Sequence, residues 1–190
     1  MLLFSYSERA FLYEVHAFIF IKGGFYMTEK TDCCFCKDKD WFRYRVGAII
    51  ISEGHALFSY GENCGYFYTV GGGVHIGEKS EDAVLREVIE ETGDDFIIER
   101  PLCFVENFFG GDGALEGYNC HAAEVYYLMK PKVKREYDVT SITSGGDSEK
   151  MRWLPVDKLD EYDIRPVIVK KIIKNLPQEF TLMVNDDRGA

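Results

Sequence analysis

Three glycines at 71–73 are followed by Glu78, Arg86 and then Glu87, Glu90 and Glu91. Between the first glycine and Gly93 the chain carries six acidic residues against one lysine and one arginine. Glu87, Glu90 and Glu91 stand at i, i+3 and i+4, so on a helix they share one patch, at a cost of about a few tenths of a kcal/mol per like-charged pair. An arbitrary glutamate triplet is most simply a solvated face. Two features point elsewhere. The glycine run lets backbone approach a ligand and offer a carbonyl oxygen. Carboxylate and carbonyl oxygens at this density suit Mg²⁺ or Mn²⁺, which removes the repulsion.

The elements that must position these acids are readable around them. Ser80–Thr92 predicts a helix, with Ser80 as its cap, Glu81 and Asp82 at the positive end of the dipole and Gly93 at the exit. Val84, Leu85, Val88, Ile89 and Thr92 fall on one face, which docks the helix and leaves the three glutamates opposite. Strands are expected at 43–52, 56–60, 66–70, 96–98, 102–109, 118–130, 151–154 and 180–184, with a break at Pro101. Residues 132–147 read as mostly loop, and Asp157–Tyr162 and Pro166–Asn175 as helices, the second opening on its proline. Strands on both sides of a central helix, and helices again near the end, imply a mixed sheet covered on its faces.

Taken as a string, Gly72, five residues, Glu78, seven residues and then Arg86-Glu87-Val88-Ile89-Glu90-Glu91-Thr92-Gly93 resembles the box of the Nudix hydrolases, G-x5-E-x7-R-E-U-x-E-E-x-G-U with U aliphatic. Every position through Gly93 matches; Asp94 stands where the family has an apolar residue that packs rather than reacts. The strands around the box and the Trp153-Leu154-Pro155 segment extend the likeness over roughly residues 41–176. The resemblance implies an α/β/α sandwich around a mixed β-sheet. It implies an enzyme in which water attacks phosphorus, cleaving a nucleoside diphosphate linked to another group with divalent metal as cofactor. By the same resemblance Glu90 and Glu91 are the chief metal ligands, Glu87 is a third ligand or the base that activates water, and the Gly71 carbonyl also faces metal. Arg86 orients the box glutamates and Glu78 supports them.

Outside the box the signals are single residues. Glu124 lies on a strand among Cys120, Ala122, Tyr126 and Leu128, so its carboxylate needs a partner. The alternatives are a salt bridge, an exposed edge or, as the resemblance implies for a glutamate on a later strand, metal. Arg45 is open to a phosphate contact or to a surface role, and the Gly72 and Gly73 backbone can approach substrate. Phe108 and Phe109, beside the loop at 110–117, are open to stacking on a base or to core packing, and His75 is expected to be exposed. The proline, tyrosine and Pro/Trp-rich marks of the ADP-ribose, dinucleoside-polyphosphate and NADH subfamilies are missing downstream, as is the coenzyme A signature upstream. An NTP or dNTP, or a nucleotide sugar, is left as substrate. The intact acids favour an enzyme over the alternative, a non-catalytic nucleotide sensor of the same fold.

Composition agrees with this picture. The 190 residues suit one domain (41–176) with an extension at 1–40 and a tail at 177–190, and 14 Phe with 12 Tyr supply core. A net charge of −10 argues against binding nucleic-acid polymers or an anionic membrane. Six scattered cysteines favour reduced thiols and a cytoplasmic setting, and Cys33-x-x-Cys36 lacks the second pair a zinc site would want. Phe11–Ile21 is apolar but interrupted by Glu14 and His16 and too short to span a bilayer. Lys22–Met27 can be encoded by a purine-rich AAAGGAGG, a spacer and ATG, the look of a bacterial ribosome-binding site and start codon. Residues 1–26 are thus either untranslated in the cell or an ordinary terminal element. A homodimer is compatible with the aromatic N-terminal region, and nothing demands it.

Overall fold

Alternating apolar positions on the long central strands decide the architecture. Val46, Ala48 and Ile50 point into one core with Val125, Tyr127 and Met129, while Ile49 and Tyr126 point into another. A sheet that is apolar on both faces must be covered on both. The computed structural model describes residues 30–61, 64–131, 140–142 and 148–189. Asp32–Ala190 forms one compact unit. The readings of Phe11–Ile21 and of 1–26 lie outside the described residues.

The strands are β1 (Cys34–Lys37), β2 (Asp40–Ser52), β3 (His55–Gly61), β4 (Phe67–Tyr68), β5 (Phe96–Gly110), β6 (Asn119–Pro131), β7 (Thr140–Ile142), β8 (Ser148–Pro155) and β9 (Thr181–Asp186). Among the described residues they join one mixed sheet in the order β7-β8-β3-β2-β6-β5-β9, with β1 on β2 and β4 on β3. The β2–β6 and β5–β9 pairs are parallel and the others antiparallel. Helix α1 (Ser80–Thr92) covers one face through Ala83, Val84 and Val88. On the other face lie a 3₁₀ turn at Val156–Glu161 and helix α2 (Ile168–Lys174), through Leu159, Val169, Ile172 and Ile173. This is the expected α/β/α arrangement. No helix among the described residues is long and apolar enough to cross a membrane.

Several elements depart from expectation. Pro101 does not break its strand. Register shifts at Ile98/Arg100 and Pro101/Cys103 absorb it, and β9 pairs with β5 only from Cys103 onward, so the missing N–H falls outside that ladder. The strand expected at 66–70 shrinks to β4, because the chain beyond it turns to run beside β2: Ala48 donates to the Val70 carbonyl at 2.8 Å and Val46 to that of Gly72 at 2.9 Å. The strand expected at 180–184 forms as β9, shifted slightly to Thr181–Asp186, and the stretch expected as an extension, 1–40, carries β1. The loop at 132–147 includes β7. Asp157–Tyr162 is 3₁₀ rather than α-helical, and α2 begins two residues after Pro166. Ser80 is not the cap. Lys79 takes that position, and the Ser80 hydroxyl shares a 2.7 Å hydrogen bond with the Tyr127 hydroxyl, tying the helix start to β6. Gly93 ends α1 as expected, left-handed at φ 72° with its N–H on the Ile89 carbonyl.

Candidate functional site

The glycine run is the seam between α1 and β2. Gly71 has φ 136°, a conformation side chains rarely adopt, and a Cβ there would strike the Val46 carbonyl. Gly72 is needed for a different reason: a Cβ on it would lie 2.5 Å from the Glu87 carboxylate. Bare backbone therefore touches the acid directly.

Arg86 organises the box. Its Nε and Nη2 donate to the two Glu78 oxygens, each at 2.9 Å, and Nη1 reaches Glu87 at 2.7 Å and Glu90 at 3.2 Å. Nη2 also donates to the Gly73 carbonyl at 2.9 Å, fastening helix to loop. The forked pair holds the Glu78 carboxyl down at about 2, with burial opposing and the His75 N–H assisting. Burial works against the Arg86 charge, but Glu78 and Glu87 outweigh it and raise its pKa. At Glu87 burial wins: its carboxyl is pushed above the ordinary range despite Arg86.

Glu91 does not share an outward patch with Glu87 and Glu90. It stands seven residues after Val84, only ~20° away around the helix, and is 9% exposed. Its oxygens accept the Gly71 N–H at 2.9 Å and the Ser59 hydroxyl at 2.7 Å, which compensates the burial. Ile89, expected in the apolar stripe, is exposed instead. Asp94, which interrupts the box, is half-buried, and Phe96 two residues on enters the core.

Arg45 and Glu124 stand opposite one another on the β2–β6 pair. Arg45 is turned onto the loop, donating to the Thr69 hydroxyl and to the carbonyls of Thr69 and Gly71 at 2.9–3.1 Å. Burial disfavours its charge, yet Glu124, Tyr126, Glu91 and Glu87 together raise its pKa. The Gly71 carbonyl keeps a second lone pair beyond its bond to Arg45. Glu124 is buried and accepts from the Asn107 amide at 2.9 Å and from the Tyr126 hydroxyl.

One cleft of about 940 Å³ is lined by Arg45, Gly71, Gly72, Arg86 and all four of Glu87, Glu90, Glu91 and Glu124. Gly73, expected at the substrate, is buried and off the cleft lining, its Cα under the Asp32 carboxylate and its carbonyl on Arg86. The cleft also takes in residues for which the sequence carried no signal. Asp32 pairs with Arg43 at 2.8 Å and, with Glu78, flanks His75, which is therefore less exposed than expected. Arg165 lies 4.3 Å from the Tyr66 ring centroid and bridges Asp112 and Asp163. Of the two aromatics marked in the sequence, Phe109 lines the cleft and meets the edge of Trp41, while Phe108 packs against His121 and Arg188. Their convergence depends on strand pairing far along the chain. Cys33 and Cys36 are thiols.

Among the described residues no three acidic, His or Cys side chains stand close enough to hold an ion as they are placed. Each carboxylate is satisfied by a neighbour: Glu91 by backbone and Ser59, Glu87 and Glu90 by Arg86, Glu124 by Asn107 and Tyr126. In donor type they fit a hard cation, being all oxygen, and the Glu90 side chain, 58% exposed and held by one 3.2 Å contact, is the freest to turn toward one.

A family model described as the NUDIX domain matches residues 41–176. The chain belongs to the Nudix family, the class of pyrophosphohydrolases. Among solved structures it is similar to a NUDIX hydrolase from Nitrosomonas europaea, at TM-score 0.56 and 15% identity over 76% of this chain and 79% of that one. It is similar also to an ADP-ribose pyrophosphatase from Streptococcus suis 89-1591, at TM-score 0.52 and 14% identity over 75% and 98%. A mutator MutT protein from Bacillus halodurans matches at TM-score 0.50 and 19% identity over 74% and 89%. Identities this low carry the fold alone. No curated protein matches.

Proposed function

We propose that the cleft hydrolyses the pyrophosphate linkage of a nucleoside diphosphate joined to another group, an NTP, dNTP or nucleotide sugar, with Mg²⁺ or Mn²⁺ as cofactor. The observation that carries this reading is the gathering of Glu87, Glu90, Glu91 and Glu124 with the fixed guanidiniums of Arg45 and Arg86 on one cleft, with bare Gly72 backbone against Glu87. Glu90 and Glu91 are the chief ligands in this proposal, joined by Glu124 and the Gly71 carbonyl. A cation held there would neutralise charge that develops on the phosphates. Glu87, with its carboxyl raised by burial, is suited to take a proton from water or to serve as a further ligand. Arg86, held by Glu78, aims Glu87 and Glu90, and Arg45 fixes the loop and adds positive charge at the cleft wall. The setting proposed is cytoplasmic, on the strength of the unlinked thiols.

The test is a panel of nucleoside diphosphate derivatives with Mg²⁺ or Mn²⁺, reading phosphate after added phosphatase. Turnover of at least one member is expected. Tight nucleotide binding without turnover would replace the enzyme by a sensor, and a homodimer, the other open expectation, is read from light scattering of the same preparation.

A further inference from the structure

Glu124 is held by a chain of amides that runs out of the family-matched region into the last strand. Its Oε1 accepts from Asn107 Nδ2 at 2.9 Å, and Asn107 Oδ1 in turn accepts from Asn185 Nδ2 at 2.9 Å. The same Asn185 nitrogen donates to Asp187 at 2.8 Å. Asn107 and Asn185 face each other in the parallel β5–β9 register, and both are buried. The polarity of the chain is forced. A carboxyl group at one end and Asp187 at the other accept, so each Asn must turn its nitrogen toward an acid and Asn107 must turn its oxygen toward Asn185. A flipped amide at either position would set oxygen against oxygen. The arrangement admits one orientation, and it fixes the one glutamate lining the cleft that does not come from α1.

Asp187, whose N–H donates to the Phe108 carbonyl at 2.8 Å, lies on the cleft wall beside Gly189. The residues after 176 thus reach the site itself.

We propose that Asn185 is a positioning residue: acting through Asn107, it sets the Glu124 carboxyl in the cleft, so that the terminal strand is a working part of the site. The proposal rests on the cleft being catalytic, and the test separates the two. In the full chain, Asn185→Ala is expected to lower kcat roughly 10- to 100-fold, as losing a residue that orients a ligand does, with KM little changed. Glu124→Gln lowers kcat as well, and adding Asn185→Ala to it produces no further loss. Leu182→Ser, on the same strand with a side chain 67% exposed, leaves kcat as it was. Additive losses in the double variant, or an unchanged kcat in Asn185→Ala, overturn the proposal. A readout free of turnover is the side-chain amide of Asn107 in nitrogen-edited NMR. Its resonance moves in Asn185→Ala and stays in Leu182→Ser. If no substrate is turned over yet the amide moves, the functional reading fails while the positioning chain stands; if the amide does not move, the chain itself is wrong.

Discussion

Glu87 and Glu90 sit on one helix edge and share Arg86, yet their surroundings differ. Glu90 is largely solvated, whereas Glu87 is pressed against Gly72. Replacing either by Gln keeps the shape and removes the charge. Both Glu87→Gln and Glu90→Gln are expected to cut kcat by roughly 10²- to 10⁴-fold, in line with losing a group that acts on the reacting atoms, while circular dichroism and melting stay near wild type. Full activity in both would sink the assignment. Glu78 carries the opposite signature. Its carboxyl titrates at about 2 in the fold against 4.5 for a free side chain, so it contributes stability that is complete above about 4.5 and lost as pH falls toward 2. Glu78→Ala should cost about 1–3 kcal/mol at neutral pH by leaving Arg86 donors unmatched. The gap between wild type and variant in urea melts should close as pH drops from 4.5 to 2; a gap constant with pH argues against the pairing. The sequence showed these acids because their spacing is local. It hid the burial of Glu91, since that depends on which edge of α1 meets Ser59 and the Gly71 N–H, contacts made across the fold.

The loop at 71–73 links that helix edge to β2, and each glycine fails differently on substitution. Gly72 is the cleanest probe, since its φ is not positive and the Glu87 carboxylate is what an added Cβ would meet first. Gly72→Ala should fold with a cost of about 1–3 kcal/mol and lower kcat about 100-fold by displacing the acid. Kinetics at saturating metal, with a melting curve, would check it; wild-type kcat would show that Glu87 has room to spare. The ends of α1 were legible because Gly93 and the acidic first turn are local signals. β5 was not, since its passage through Pro101 depends on where β9 begins to pair, a fact invisible to local pattern. The short β4 and the cap at Lys79 were missed for the same reason: lacing to β2 and the Ser80–Tyr127 bond are tertiary.

At the scale of the molecule, the region matching the family leaves out both flanks that complete the cleft. Before residue 41 lie β1 and Asp32, which packs on Gly73, pairs with Arg43 and joins the bridge to His75. After residue 176 lies β9, which covers the β5 edge, packs a partly buried Met183 against the core and carries Asn185. Alternation and composition made the two-faced sheet and the strand near 180–184 readable, but β1 is too short to stand out until its partner is known. A chain of residues 41–176 alone should therefore expose the β5 edge, an invitation to association, and lose the cover that Met183 gives the core. It is expected to run as soluble aggregate on size exclusion and to melt without a cooperative transition. A chain of residues 27–190, which keeps Asp32, β1 and β9 and starts at Met27, is expected to match the full chain in melting temperature and in kcat on the same substrate. Equal stability of the 41–176 chain would make both flanks ornaments. A loss in the 27–190 chain would give residues 1–26 a structural role and count against an untranslated leader.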